Sequence, residues 1–228
     1  MREGKFPVDF QGEWSVSALR IERVRMPFQP GYTPWNKGKI IGQKRPLKLD
    51  DIATIRALLE TKGRVREHAM FNLAIDSKLR ACDLIALRIE DVSVGGRVRD
   101  RATVMQRKTS SIVHFEIGSR TRAALEWWLA SMAGKSGFLF PSKRDASCHI
   151  SIRQYARIVD SWIKGAGLEK SLYATHTLRR TKATILYRKT GNLRAVQLLL
   201  GHKSIENTIR YLGVEVDDAL ELSGQVEI

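Results

Sequence analysis

The stretch His-Thr-Leu-Arg-Arg-Thr-Lys, from His176 to Lys182, crowds a histidine, two arginines and a lysine together. Cationic side chains this close repel one another unless an anion sits among them. On one helix His176 and Arg179 are three residues apart and share a face, so a single phosphate can touch both. Arginine suits that task because its planar fork donates two parallel hydrogen bonds and keeps its charge. Arg180, alongside, adds a second basic group aimed at a polyanion or at the chain's own acidic tail. The residues that follow, Ala183 to Gly191, continue the helix with Ile185 and Leu186 on its buried side.

The whole composition agrees with an anionic partner. The 228 residues hold 39 Lys and Arg against 24 Asp and Glu, a net charge of +15, which fits a nucleic acid. A hydrophobic fraction of 43% suits a globular chain and not a disordered one. Cys82 and Cys148 are far apart and lack companions at metal-ligand spacing, so neither a disulfide framework nor a zinc site is expected. No cofactor and no metal are expected. The first ten residues carry no signal-peptide core, and no apolar run is long enough to span a membrane, so the expected setting is the cytoplasm, in association with the nucleoid, with no membrane partner.

Three regions are legible. Residues 1–48 hold Pro7, Pro27, Pro30, Pro34 and Pro46, and the acid-free run with Lys37, Lys39, Lys44, Arg45 and Lys48 reads as an extended basic arm gripping DNA phosphates. Residues 49–212 read as one folded domain. Ile52, Ile55, Leu58 and Leu59 recur at helical spacing behind Asp50 and Asp51, which suit a helix N-terminus. Two more helices are expected over "REHAMFNLAIDS" and "ACDLIALRIEDV", separated by a break that carries Arg80. The period then changes to two: Ala102–Gln106 and Ile112–Ile117 read as strands joined by a loop with Lys108 near its tip. A helix capped by Ser119, a short apolar strand or turn at Phe138–Phe140, and a helix ending near Gly165 and Gly167 follow. Three helical pieces close the domain: His176 to Lys189, Asn192 to Gly201, and one capped by Ser204 that carries Tyr211. Residues 213–228 reverse the charge, with Glu215, Asp217, Asp218, Glu221 and Glu227, and read as an acidic tail that docks on its own chain or on a neighbouring protomer.

These motifs resemble those of the tyrosine recombinases, the phage-integrase family. Arg80 with Asp83 in "LRACDLIALRIEDV" is similar to the family's first box, and Lys108 to its β-hairpin lysine. His176 and Arg179 match its His-x-x-Arg box. "LLLGHKSIENTIRY" matches its Leu-Leu-Gly-His segment, with His202 ahead of Tyr211. One His-x-x-Arg alone is weak, but the ordered set Arg80, Lys108, His176, Arg179, His202 and Tyr211 across residues 49 to 212 is specific. The resemblance implies a mainly α fold with a small antiparallel β-sheet (α+β), the tyrosine-recombinase catalytic domain.

It also implies DNA strands cut and rejoined through a 3′-phosphotyrosine. Tyr211 would be the nucleophile, Arg80, Arg179 and His202 would stabilise the charge growing on the phosphate, and Asp83 would orient Arg80. A phenol with a pKa near ~10 needs a base or a cationic field to ionise; His176 is the candidate base. Lys108 is the candidate acid for the departing 5′-hydroxyl. The implied partners are double-stranded DNA with a specific site, a homo-tetramer on two sites, and an accessory DNA-bending protein. Many members carry a helical core-binding domain ahead of the catalytic one. The 48 residues before Leu49 look extended, so the short, catalytic-domain-only type is expected. Two other readings compete: a type IB topoisomerase that relaxes DNA, and a DNA-binding regulator that kept the fold without catalysis.

Overall fold

The computed structural model describes residues 43–132 and 137–213. The chain divides at Gly42/Gln43. Lys37, Lys39 and the acidic tail beyond Gly213 lie outside the described residues.

Helix α1 (Leu49–Thr61) begins where the Asp51 carboxylate accepts the Lys48 backbone N–H at 2.8 Å, and it buries Ile52, Ile55 and Leu59. Helix α2 (Val65–Ser77) follows and is buried on every side from His68 onward. It ends at Lys78, whose left-handed φ of 54° turns the chain toward Arg80. The expected single helix over Ala81–Val92 is two short ones, α3 (Ala81–Ile85) and α4 (Ile89–Val92). Backbone pairing breaks it: the Leu87 carbonyl accepts from Leu139 N at 2.8 Å, Ile89 N donates to Gly137 O, and Arg88 bridges Phe138. The apolar run at Phe138–Phe140 is therefore the partner that interrupts the helix.

Two antiparallel hairpins come next. The first, β1 (Ser93–Val94) and β2 (Arg97–Val98), is absent from the expected elements; it turns through Gly95 and Gly96, both at positive φ, as a two-residue hairpin turn requires. The second pairs β3 (Arg101–Met105) with β4 (Ile112–Glu116), in the register Ala102–Phe115 and Val104–Val113. Helix α5 (Ser119–Ser131) is capped by Gly118, one residue before the expected Ser119. Gly118 N is held instead by the Asp76 carboxylate at 3.0 Å.

Helix α6 (Ile152–Gly165), capped by the Ser151 hydroxyl, buries Tyr155, Val159, Trp162 and Ile163. A 3-10 turn at Lys170–Leu172 leads to α7 (Thr175–Thr190), then α8 (Leu193–Leu200) and α9 (Ile205–Leu212). Each of these last three ends at a left-handed glycine: Gly191, Gly201 and Gly213. The fold is thus mainly helical with small antiparallel sheets.

Two apolar clusters share α7. The larger runs from Leu47 through α1, α2, β4 and α6, with Phe71 and Trp162 meeting edge to face at 5.4 Å, and reaches Leu178. The smaller joins Ala183, Val196, Leu200 and Leu212, with Tyr211 packed against it. Helix α7 therefore presents residues toward both; α9 meets the main body through it, and α8 through it and through β4. The arm was expected to extend to Lys48. Its last residues belong to the body: Leu47 is buried and its N–H donates to Thr181 Oγ1 at 3.0 Å.

Candidate active site

Arg80 stands at the N-cap of α3, just after the left-handed turn at Lys78. Its guanidinium hydrogen-bonds the Gln106 side chain. Gln106, at the end of β3, in turn donates from Nε2 to the Leu200 carbonyl at 3.0 Å. The same carbonyl accepts from Arg179 at 2.9 Å, and Arg179 also donates to the Lys78 carbonyl at 2.5 Å. Two arginines from distant segments are thereby tied to one carbonyl at the end of α8.

Tyr211 packs over the second arginine and its neighbour. The guanidinium carbons of Arg179 and Arg180 lie 5.9 and 5.5 Å from its ring centroid. His202 meets the same ring edge to face at 5.2 Å. The Tyr211 hydroxyl is buried and, among the described residues, has no hydrogen-bond partner; the Arg179 guanidinium is close enough to favour its ionised form. Burial pushes its pKa up to about 12, although Arg179, Arg180 and Arg80 pull the other way. In this arrangement the phenol is neutral and covers Arg179, which is itself only 3% exposed.

The two histidines are neutral. Burial, with the fields of Arg179 and Arg80 behind it, lowers His202 to about 4. Its Nδ1 is 3.1 Å from Thr208 Oγ1; a neutral ring accepting there carries its proton on Nε2, ready to donate. Its backbone is pinned too, with N–H to the Gln197 carbonyl and C=O to Gln197 Nε2, both at 3.1 Å. His176, on the first turn of α7, is exposed at the edge of the site. Partial burial and then Arg179, Arg80, Lys108 and Arg180 lower its pKa, which suits a proton acceptor. Lys108 sits exposed in the turn after β3 and lies within the cationic field acting on His176.

Asp83 takes a different partner from the expected one. Its buried carboxylate accepts the Arg107 backbone N–H at 2.9 Å, holding the root of the Lys108 turn, while the Arg80 side chain bonds Gln106. Arg180 donates to the Lys44 carbonyl at 2.8 Å and to the Leu212 carbonyl at 3.5 Å. Lys44, expected on DNA, donates from Nζ to the Ser171 carbonyl at 2.5 Å. Arg45 keeps an exposed side chain, while its backbone N–H bonds Leu172 O.

Gln106, Thr208 and the Lys78 and Leu200 carbonyls are absent from the expected set. Gln106 carries a sequence signal: it continues the inward alternation of Ala102 and Val104, so a polar amide falls where a core residue belongs. The two carbonyls leave no signal, because backbone atoms are the same at every residue.

Comparison with known proteins identifies the family. The phage integrase family model matches residues 45–217. The tyrosine recombinase XerC of Pelobacter propionicus is 34% identical over 189 residues, covering 79% of this chain and 59% of that protein. The probable integrase/recombinase YoeC of Bacillus subtilis is 28% identical over 169 residues, covering 74% of this chain and 88% of that protein. The crystal structure of XerA recombinase superposes with a TM-score of 0.66 at 24% identity, covering 81% of this chain and 65% of that one. The XerH site-specific recombinase bound to palindromic difH substrate, a post-cleavage complex, gives 0.63 at 20% identity, covering 83% and 55%. The chain thus spans about six-tenths of the length of the XerC relative. By the family match across most of its length, this chain belongs to the phage integrase family.

Proposed function

We propose that the chain is a site-specific DNA recombinase that cuts and rejoins double-stranded DNA through a 3′-phosphotyrosyl ester on Tyr211. The observation that carries this reading is the placement of Tyr211 against Arg179, Arg180 and His202, with Arg80 joined to the same carbonyl as Arg179 through Gln106. A phosphate held by Arg80, Arg179 and His202 would have its non-bridging oxygens among preorganised donors. The Tyr211 oxygen would attack phosphorus and pass its proton to His176. The 5′-oxygen would leave with a proton from Lys108. The ester conserves the bond, so the reverse step rejoins the strand.

The phenol lies buried and neutral over Arg179. The reading extends to a homo-tetramer on two sites. Residues 213–228 would dock on a neighbouring protomer, residues 1–42 would grip phosphates, and a DNA-bending protein would assist.

The test is covalent capture. Random-sequence duplexes are incubated with the chain, adducts are recovered under denaturing conditions, and the attached DNA is sequenced. The expected result is one recurrent site, joined to Tyr211 through a 3′-phosphate. On a nicked duplex of that site Tyr211→Phe should bind and form no adduct. An adduct formed by the Tyr211→Phe chain refutes the assignment.

A further inference from the structure

Gln106 is a nearly fully buried polar side chain, 1% exposed, at the end of a strand. Its amide orientation is forced by its neighbours. The Leu200 carbonyl can only accept, so it must face Nε2. The Arg80 guanidinium can only donate, so it must face Oε1. The same Oε1 accepts the Thr109 hydroxyl at 2.9 Å, inside the turn that carries Lys108. The Gln106 backbone closes that turn: its carbonyl accepts from Ser110 at 2.8 Å and its N–H donates to Ser111 at 2.9 Å. Ser110 is held at a left-handed φ of 52° to allow this.

One amide therefore contacts three groups from three segments. Arg80 comes from the turn after α2, the Lys108 turn from the hairpin, and Leu200, the acceptor of Arg179, from the end of α8. Gly201 makes room for it: a Cβ there would stand 3.2 Å from Gln106 Nε2 and 2.5 Å from Val113 Cγ1.

We propose that Gln106 is a positioning residue that sets Arg80 and the Lys108 turn against the reacting phosphate as a single unit, with the Leu200 carbonyl as its anchor. The inference rests on the recombinase reading above. Arginine and lysine would act on different oxygens of the one phosphate, the equatorial non-bridging oxygens and the apical leaving oxygen. A common support fixes the distance between them. It also conveys a shift of the hairpin, or of α8, directly to Arg80.

The test uses the full chain and the nicked duplex recovered by covalent capture, in its ordinary form and with sulfur in place of the bridging 5′-oxygen. Gln106→Met keeps the volume and removes every polar contact of the side chain; Gln106→Glu keeps the acceptor for Arg80 and sets oxygen against the Leu200 carbonyl. Both should bind the duplex with unchanged affinity and form the adduct on the order of a hundredfold more slowly, the cost of a small misplacement. Sulfur leaves without a proton, so it should shrink the Gln106→Met defect by the share due to Lys108 and leave the share due to Arg80. Thr109→Val removes only the strut to the turn. Its smaller defect should vanish on the sulfur duplex, and it keeps the test open should the Gln106 variants not fold.

Adduct formation at the unaltered rate by the Gln106 variants overturns the inference, as does a Thr109→Val defect that sulfur leaves unchanged. If the unaltered chain forms adduct and these variants match it, only this inference fails; if the unaltered chain forms none, the recombinase reading fails with it.

Discussion

Arg180 lies over the ring of Tyr211, its guanidinium carbon 5.5 Å from the ring centroid. The same fork reaches the Lys44 and Leu212 carbonyls, so it clips the segment before α1 to the residue after the tyrosine. Arg180→Ala should therefore cost about 2 kcal/mol, the scale of a hydrogen bond from a charged donor. Arg180→Lys restores a cation but cannot span two carbonyls, and should recover little. Urea unfolding measures both; midpoints equal to that of the unaltered chain would show that the clip contributes nothing.

Gly201 and Gly191 separate two effects. Both have φ near 64°, at +65° and +63°, but an added Cβ at Gly191 meets nothing within 4 Å. Gly191→Ala should cost about 1–2 kcal/mol for the left-handed backbone alone. Gly201→Ala adds a clash with Val113 and should cost roughly 1–3 kcal/mol more. It should also slow adduct formation, because the hairpin that gives way carries Gln106. Equal melting shifts for the two variants would contradict the close approach.

Stability should depend on acid through His202. Its folded pKa of about 4 lies below the ordinary value of 6.5, so between these the unfolded chain binds more protons. Stability is then full above about 6.5 and is lost as pH falls toward 4. His176 and His68, also lowered, act with the same sign as pH falls below 6.5. Asp76, a carboxylate lowered below 3.8, acts only at more acidic pH. His202→Gln should flatten the curve of melting temperature against pH above 4. An unchanged slope would place the histidine elsewhere.

The basic segment should divide in its response to salt. Lys44 is committed to the Ser171 carbonyl, whereas Lys37 and Lys39 are expected on phosphates from their sequence. Replacing Lys37 and Lys39 by Gln should reduce the slope of log affinity against log salt by about 0.9 for each phosphate no longer neutralised. Lys44→Gln should reduce it less. Identical slopes for the two variants would remove the distinction.

The sequence is most legible where function rests on side-chain type. Arg80, His176, Arg179, His202 and Tyr211 are distinctive residues at ordered spacing, and the structure brings them into one cluster. Legibility falls where backbone decides. Nothing in "ACDLIALRIEDV" announces that Leu87 will pair with Leu139, because the partner lies far along the chain and the run is helical by period. The partner of Asp83 is hidden for a related reason: proximity in sequence favours Arg80, while the fold brings the Arg107 amide to the carboxylate. The Gly95–Gly96 hairpin, in contrast, carries a plain turn signal. Gln106 carries one of its own, as a polar residue on an inward-facing strand position.

The Leu200 carbonyl holds both Arg179 and, through Gln106, Arg80, across a separation of 94 residues from Gln106. On the ribosome, Arg80 and the hairpin are made long before their anchor, and Tyr211 later still. A chain terminated before Leu200 thus lacks both Tyr211 and the carbonyl that aligns Arg80 and Arg179. Under the proposed activity, the residue that cuts DNA is made only after the support that aligns the two arginines is already in the chain.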